Sequence, residues 1–292
     1  MSSSIEKAIA RNSTADTPSV KATTVTPFPE IKRPRVETRF EIPDAVKKEE
    51  VAQDAAVNPQ TALQFDLLAL AQDGYLTPET MQGSLAEQYR LLKHSVLTSV
   101  KEMPAQTVAS NNLIAITSAV QGEGKTFTSF NLAMSLATER DLSVLLVDGD
   151  LIGRSLSQMT GLNAHCGLND ALQNPVLGLD DIIVKTNVPR LELLPAGKSH
   201  QHATELISSE RMREFSQELA GNYQIVLFDA PPLLLTSLTI ALVDLVGQVL
   251  VVVEEGRTPQ NAVMKALSLV AETKHTGIVL NKCRAQKNSS YY

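Results

Sequence analysis

LIAITSAVQGEGKTFTSFNLAMSLA, residues 113–137, reads as an apolar strand, a glycine-containing loop, a Lys-Thr pair and an amphipathic helix, in that order. Gly122 and Gly124 allow successive backbone N–H groups to face one concavity, and a helix starting near Lys125 adds the positive end of its dipole, so the segment predicts a phosphate-binding loop. Lys125 is placed to bridge the β- and γ-phosphates of ATP and the Thr126 hydroxyl to ligate Mg2+. The candidate nucleotide contacts are therefore Gln121, Gly122, Glu123, Gly124, Lys125, Thr126 and Phe127. The first glycine of the GxxxxGK[ST] pattern is replaced by Ala119, which requires a loop that accepts a Cβ there. Glu123 sits awkwardly beside phosphates unless its carboxylate points away from them.

Outward from the loop, short apolar or β-branched runs alternate with amphipathic stretches: "LIAIT", "VLLVD", "LELLP", "IVLFD", "VLVVV" and "GIVLN". That alternation predicts an α/β P-loop NTPase fold, a mostly parallel sheet with right-handed crossovers and helices on both faces. "VLLVDGD" puts Asp148 and Asp150 at the carboxyl end of one strand, and "IVLFDAPP" puts Asp229 at the end of another, on the sheet edge where ligands bind. Asp229 is the candidate Walker B carboxylate, holding Mg2+ directly or through water. Asp148 is the candidate proton acceptor and a metal neighbour, with Asp150 assisting. Residues 63–100 show helical spacing broken at "DGYLTPE", which predicts two helices, and Thr258-Pro259 predicts a helix start with a hydroxyl cap and Pro at the first helical position.

Length and composition bound the rest. The 292 residues, 43% hydrophobic, hold one substantial core plus extensions, and the expected divisions are an arm at 1–60, a helical lead-in at 61–105, the nucleotide domain at 106–284 and a tail at 285–292. Residues 12–59 are rich in Ser, Thr, Pro and Ala with little apolar periodicity, which predicts a disordered arm; "IEKAI", residues 5–9, is too short to hold a helix alone. A net charge of −6 argues against nucleic acid and anionic membrane surfaces as partners, and 4% aromatics without Trp argue against stacking on sugars or bases. Cys166 and Cys283 lie far apart with no CxxC or Cys/His cluster, so no metal site or disulfide framework is indicated. No apolar leader follows Met1, and the apolar stretch 225–253 is divided by Asp229, Pro231, Pro232 and Asp244, so the expectation is a cytoplasmic chain without a membrane span.

With these motifs in place the sequence resembles the bacterial tyrosine autokinases of exopolysaccharide export, whose motifs are called Walker A, A′ and B, and most closely the soluble branch linked to exosortase gene clusters. The likeness runs from about residue 73 to the C terminus, through "LTPETMQGSLAEQYRLLKHSVL", "LLPAGKSHQHATELISSERM", "FDAPPLLLTS", "VVEEGRTPQNAV" and "VLNKCRA". It implies an ATP- and Mg2+-dependent enzyme that phosphorylates tyrosines of a C-terminal tail, here Tyr291 and Tyr292, in a neighbouring subunit of a ring. The family's ExxRxxR ring motif corresponds to Glu87, Arg90 and Lys93; on spacing alone this is either an interface ridge or a solvated helix face. Asn281 corresponds to a position where related ATPases contact adenine, or it is a turn former at a strand end. The implied partner is a membrane chain-length determinant, a polysaccharide co-polymerase, which would recruit the chain to the inner face of the membrane.

Two features depart from the family. The A′ pattern DxDxR has Ile152 at its Arg position, with the only nearby arginine at Arg154, and the tyrosine tail is short. They keep a second reading open, a non-phosphorylating ATP-gated module that regulates the membrane partner through assembly. A partitioning-type ATPase shares the fold, but its signature lysine, five residues before the P-loop lysine, is here Val120.

Overall fold

Alternate residues of each apolar run go to opposite faces of a single sheet. In the computed structural model, which describes residues 62–102, 111–270 and 274–283, strand β1 (Leu113–Ser118) sends Leu113 and Ala115 into one core and Ile114 and Ile116 into the other, all fully buried. β2 (Val144–Asp148) and β5 (Ile225–Asp229) divide likewise, with Leu145, Val147, Val226 and Phe228 on the first face and Val144, Leu146, Ile225 and Leu227 on the second. A strand buried on both faces reads as a continuous apolar run, and this is why these segments are so uniformly hydrophobic.

Before β1 lie helices α1 (Leu67–Gln72) and α2 (Ser84–Glu102), and after it α3 (Lys125–Leu136). Between β2 and β5 come α4 (Ser155–Met159), α5 (Leu168–Gln173), β3 (Val184–Lys185), β4 (Leu191–Leu194), α6 (Ala203–Ile207) and α7 (Glu210–Asn222). The chain then runs through α8 (Ser237–Leu245), β6 (Gln248–Glu254), α9 (Gln260–Leu267) and β7 (His275–Asn281). Among the described residues the sheet has seven strands in the order β3-β4-β2-β5-β1-β6-β7. All pairs are parallel except β3 with β4, an antiparallel edge of two residues that no sequence pattern announced. Helices α2, α3 and α4 cover one face and α5 to α9 the other, which is the doubly covered architecture expected from the alternation.

The helical lead-in is built into this core. Tyr89 and Val96 of α2 are buried with Phe130 of α3, and the backbone N–H of Leu76 donates to the buried Asn131 Oδ1 at 2.6 Å. Asn187 holds the Phe65 backbone from both sides, accepting from its N–H at 3.0 Å and donating to its carbonyl at 3.1 Å. Phe65 and Tyr75 meet the Phe130 ring edge-on, at 5.5 and 5.4 Å between centroids.

Helix α9 starts differently from the expectation. Pro259 is the N-cap, and the Thr258 hydroxyl, expected to cap the helix, donates to the carboxylate of Glu123 in the phosphate loop. The arm, the short "IEKAI" segment and the tail with Tyr291 and Tyr292 lie outside the described residues. Among the described residues, no helix is long and apolar enough to cross a membrane.

Candidate nucleotide site

At the carboxyl edge of the sheet the pairing register sets Asp148 of β2 beside Asp229 of β5, and Asp229 beside Ile116 of β1, so both acids flank the loop that leaves β1. The loop turns through Gly122 and Gly124, with φ of 89° and 92°, a region that a Cβ disfavours. Ala119 is fully buried and is not among the residues of positive φ, so the replacement of the first glycine leaves the turn intact. Helix α3 begins at Lys125 with Gly124 as its N-cap and no side chain over its first N–H groups.

These elements enclose a cleft of about 680 Å3, lined on one side by Gln121, Gly122, Gly124, Lys125, Thr126 and Phe127 and on the other by Asp150. Its rim is hydrocarbon, with Ile152 57% and Leu235 67% exposed. Lys125 Nζ lies 3.7 Å from Asp150 Oδ2 across the cleft. The Thr126 hydroxyl donates to Asp229 Oδ2 at 2.7 Å, and the Ser129 hydroxyl donates to Asp229 Oδ1 at 3.1 Å. A hydroxyl whose only proton is committed in this way turns its lone pairs outward, the state in which it can ligate a hard cation. Thr126 Oγ1 and the cleft-facing Asp150 carboxylate form an oxygen donor set that fits Mg2+, with Asp229 fixing the hydroxyl from behind.

The three acids have different surroundings. Asp229 is fully buried, and burial raises its carboxyl above the usual range, opposed by Lys125 and by the hydrogen bonds from Thr126 and Ser129. Asp148, expected to accept a proton and to neighbour the metal, is also fully buried and does not line the cleft. Its Oδ2 accepts from the Ser157 N–H at 2.7 Å and the Ser157 hydroxyl at 2.6 Å, and Ser157 Oγ in turn accepts from the Ala196 N–H at 3.0 Å. Asp148 thus ties the end of β2 to α4 and to the turn after β4. Burial pushes its carboxyl up to about 7, against the Ser157 bonds. Asp150 is the acid that faces the cleft, because β2 ends at Asp148 and the following turn is closed by the Gly153 N–H donating to Asp150 Oδ1 at 2.8 Å. Among the described residues no three His, Cys, Asp or Glu side chains converge on one point.

Other expected contacts move as well. Glu123, a candidate nucleotide contact, is 1% exposed and points beneath the loop, where it accepts from the Val120 N–H at 2.7 Å, the Glu254 N–H at 3.3 Å and the Thr258 hydroxyl. The Asn281 side-chain amide, expected at adenine, donates to the Glu123 carbonyl at 2.8 Å. Arg154 does not replace the missing A′ arginine: its guanidinium reaches the carbonyls of Asn163 and Gly197, at 3.4 and 3.3 Å, away from the cleft. On α2, Glu87 and Arg90 pair with each other at the surface. Lys93, expected on the same interface ridge, is buried, with Nζ 2.6 Å from Glu139 Oε1 and within 3.4 Å of the Ser135 carbonyl. Its charge is spent inside the chain, closing the C-terminal end of α3.

A strand, glycine loop, Lys-Thr pair and helix with an acid behind the threonine define the class: this is a P-loop nucleotide-binding protein. Residues 111–281 match the family described as "AAA domain". The tyrosine-protein kinase CpsD of Streptococcus agalactiae is 33% identical over 177 residues, covering 59% of this chain and 75% of that protein. YwqD, a tyrosine-protein kinase of Bacillus subtilis, is 28% identical, over 70% of this chain and 84% of its own. A crystal structure of the chimerical protein CapA2B2 superposes with a TM-score of 0.63 at 24% identity, covering 74% of this chain and 97% of that one, a likeness of fold. The chain belongs to the bacterial tyrosine-kinase family.

Proposed function

We propose that the chain transfers the γ-phosphoryl group of ATP to tyrosine hydroxyls, with Tyr291 and Tyr292 of a neighbouring copy as acceptors, and that this reaction regulates exopolysaccharide polymerisation or export together with a membrane chain-length determinant. The observation that carries the reading is the convergence of Lys125, Thr126 and Asp150 on one cleft at the strand ends, with unsheathed loop and helix N–H groups beside them. Loop N–H groups and Lys125 hold the phosphate oxygens and offset the charge that builds on them as the bond to the leaving ADP oxygen lengthens. Asp150 receives the proton of the tyrosine hydroxyl as its oxygen bonds to phosphorus, since Asp148, the acid expected in that role, is buried away from the cleft. Thr126, held by Asp229, and Asp150 would hold Mg2+, which would supply positive charge to offset that of the phosphates.

Glu87 and Arg90, exposed on α2, remain the candidate contacts between copies. The relatives CpsD and YwqD are tyrosine-protein kinases, which supports the reaction class. The polysaccharide role, the ring and the membrane partner rest on the family resemblance. Lys125→Met should abolish tail phosphorylation while leaving the fold intact. Phosphotyrosine persisting at Tyr291 or Tyr292 in that variant would defeat the assignment.

One observation favours a second reading, a non-phosphorylating ATP-gated module. The rim carries Ile152 where the family has arginine, and Arg154 is committed elsewhere, which leaves Lys125 as the cation of the cleft among the described residues. Mass spectrometry of the tail after incubation with Mg-ATP separates the two, since an unmodified tail selects the module.

A further inference from the structure

The loop that receives phosphate is gripped from outside by the last residues of β7 and the turn that follows. Lys282 Nζ donates to the Gly122 carbonyl at 2.7 Å, and the Asn281 side-chain amide donates to the Glu123 carbonyl at 2.8 Å. In a trans peptide unit the C=O and the following N–H point in opposite directions. Holding the Gly122 carbonyl therefore aims the Glu123 N–H, and holding the Glu123 carbonyl aims the Gly124 N–H. Neither N–H has an acceptor among the described residues, while Gly122 and Gly124 line the cleft.

The grip is needed because the two peptide units lie between glycines of positive φ, and such units can rotate at little steric cost. It is also built at some expense to the backbone. Lys282 is a non-glycine residue at φ 56°, a left-handed conformation that persists only where the surroundings enforce it. Its ammonium is fixed a second time by Glu254 Oε2 at 3.0 Å, and this bond holds the Glu254 carboxyl below the usual range. Asn281 is fixed through its own carbonyl, which accepts from the Glu255 N–H at 3.0 Å. From beneath, the Glu123 carboxylate anchors the loop to β6 and to the start of α9 through Glu254 and Thr258.

We infer that Asn281 and Lys282 are positioning residues for phosphoryl transfer: they turn the N–H groups of Gly124 and Glu123 toward the nucleotide phosphates by holding the far ends of the same peptide planes. The inference deepens the proposed ATP site and rests on it. It concerns residues that touch neither phosphate nor acceptor, and it places the root of the C-terminal tail in direct hydrogen-bond contact with the phosphate loop.

The test uses the full chain with Mg-ADP as the probe, read by titration calorimetry, by amide NMR of Glu123 and Gly124, and by thermal unfolding without nucleotide. In the wild type, Mg-ADP should move both amide proton signals downfield. In the double variant Asn281→Ala, Lys282→Met, binding should weaken about ten-fold or more and both shifts should shrink. The nucleotide-free melting temperature should stay within about 3 °C. Asn281→Ala alone changes no charge, so a loss there is not lost attraction for phosphate; Lys282→Arg, which keeps a donor and a charge, should recover most of the affinity. Should the double variant unfold, the two single variants carry the same comparison. A double variant that binds within about two-fold of wild type, or one that binds weakly with unchanged amide shifts, overturns the positioning role while the ATP site stands. A wild type showing neither heat nor shifts removes the ATP site and this inference with it.

Discussion

Replacing Asp148 by Asn should make the protein more stable at pH 8 and flatten its stability between pH 4 and pH 7. The carboxyl is fully buried, and burial, helped by Asp229 and Asp150 and opposed by Ser157, holds it near 7 in the folded chain against the ordinary value of 3.8. Between those two values the folded state binds more protons than the unfolded state, so stability falls as pH rises, by at most about 1.4 kcal/mol per unit. Below pH 4 both states are protonated and above pH 7 both are ionised, which confines the loss to that window and caps it at about 4 kcal/mol. Asp229, also raised by burial, adds a slope of the same sign; Glu254, lowered by Lys282, adds one of opposite sign. Asn keeps one oxygen for the Ser157 N–H but sets an amide against the Asp150 N–H, which lies 3.3 Å from Oδ1, at a cost of about 1 kcal/mol. The net expectation at pH 8 is a gain of about 3 kcal/mol, on the order of 6 to 12 °C in melting temperature for a domain of this size. Urea unfolding of the nucleotide-free protein at half-unit steps from pH 4 to pH 8 measures it. A variant less stable than wild type at pH 8, or an unaltered slope, would refute a buried acid whose ionisation the surroundings oppose. The same variant separates structural from chemical roles: a general base lost at Asp148 would lower phosphorylation by about 10²- to 10⁴-fold, whereas a structural acid leaves it within about ten-fold.

Thr126→Val removes the hydroxyl and leaves Asp229 without that donor, so Mg2+ dependence of nucleotide binding should weaken far more than metal-free binding in calorimetry. Phe130→Ala empties a fully buried site ringed by Phe65 and Tyr75 and should cost about 3 to 5 kcal/mol in urea unfolding, with the lead-in segment gaining amide exchange first.

The parts of this protein that were legible in its sequence are those whose causes are local. An apolar run flanked by turn residues becomes a strand whichever neighbours it finds, and a Gly-x-Gly-Lys-Thr turn between strand and helix needs only its own backbone to form a phosphate cradle. The strands carrying Leu113, Val144, Ile225 and Gln248 and the loop at Gly122 to Thr126 follow from such rules. β3 did not, because two antiparallel residues at an edge have no period to detect. Lys93 illustrates the other limit. Its spacing from Glu87 and Arg90 puts the three on one helical ridge, but whether that ridge faces solvent or α3 depends on Glu139, a residue 46 positions away. No pattern within α2 encodes that distance.

The acids at the strand ends show why a motif locates a site more reliably than it assigns the work within it. Asp148 and Asp150 stand two apart, a spacing that would put both on one face if the strand continued. The strand stops at Asp148, the chain turns, and the two carboxylates part: one bonds Ser157 in the interior and the other meets Lys125 in the cleft. Glu123 makes the same point in reverse. Placed by sequence among the phosphate contacts, where its charge would repel the ligand, it is drawn beneath the loop by donors from Glu254 and Thr258, more than a hundred residues away. A negative charge in a phosphate loop is tolerable because distant residues remove it from the phosphates. Those same residues, with Asn281 and Lys282 of the strand end beside them, then become the frame on which the loop is held, so the chemistry of this site depends on the β6–β7 edge as much as on the motif that reveals it.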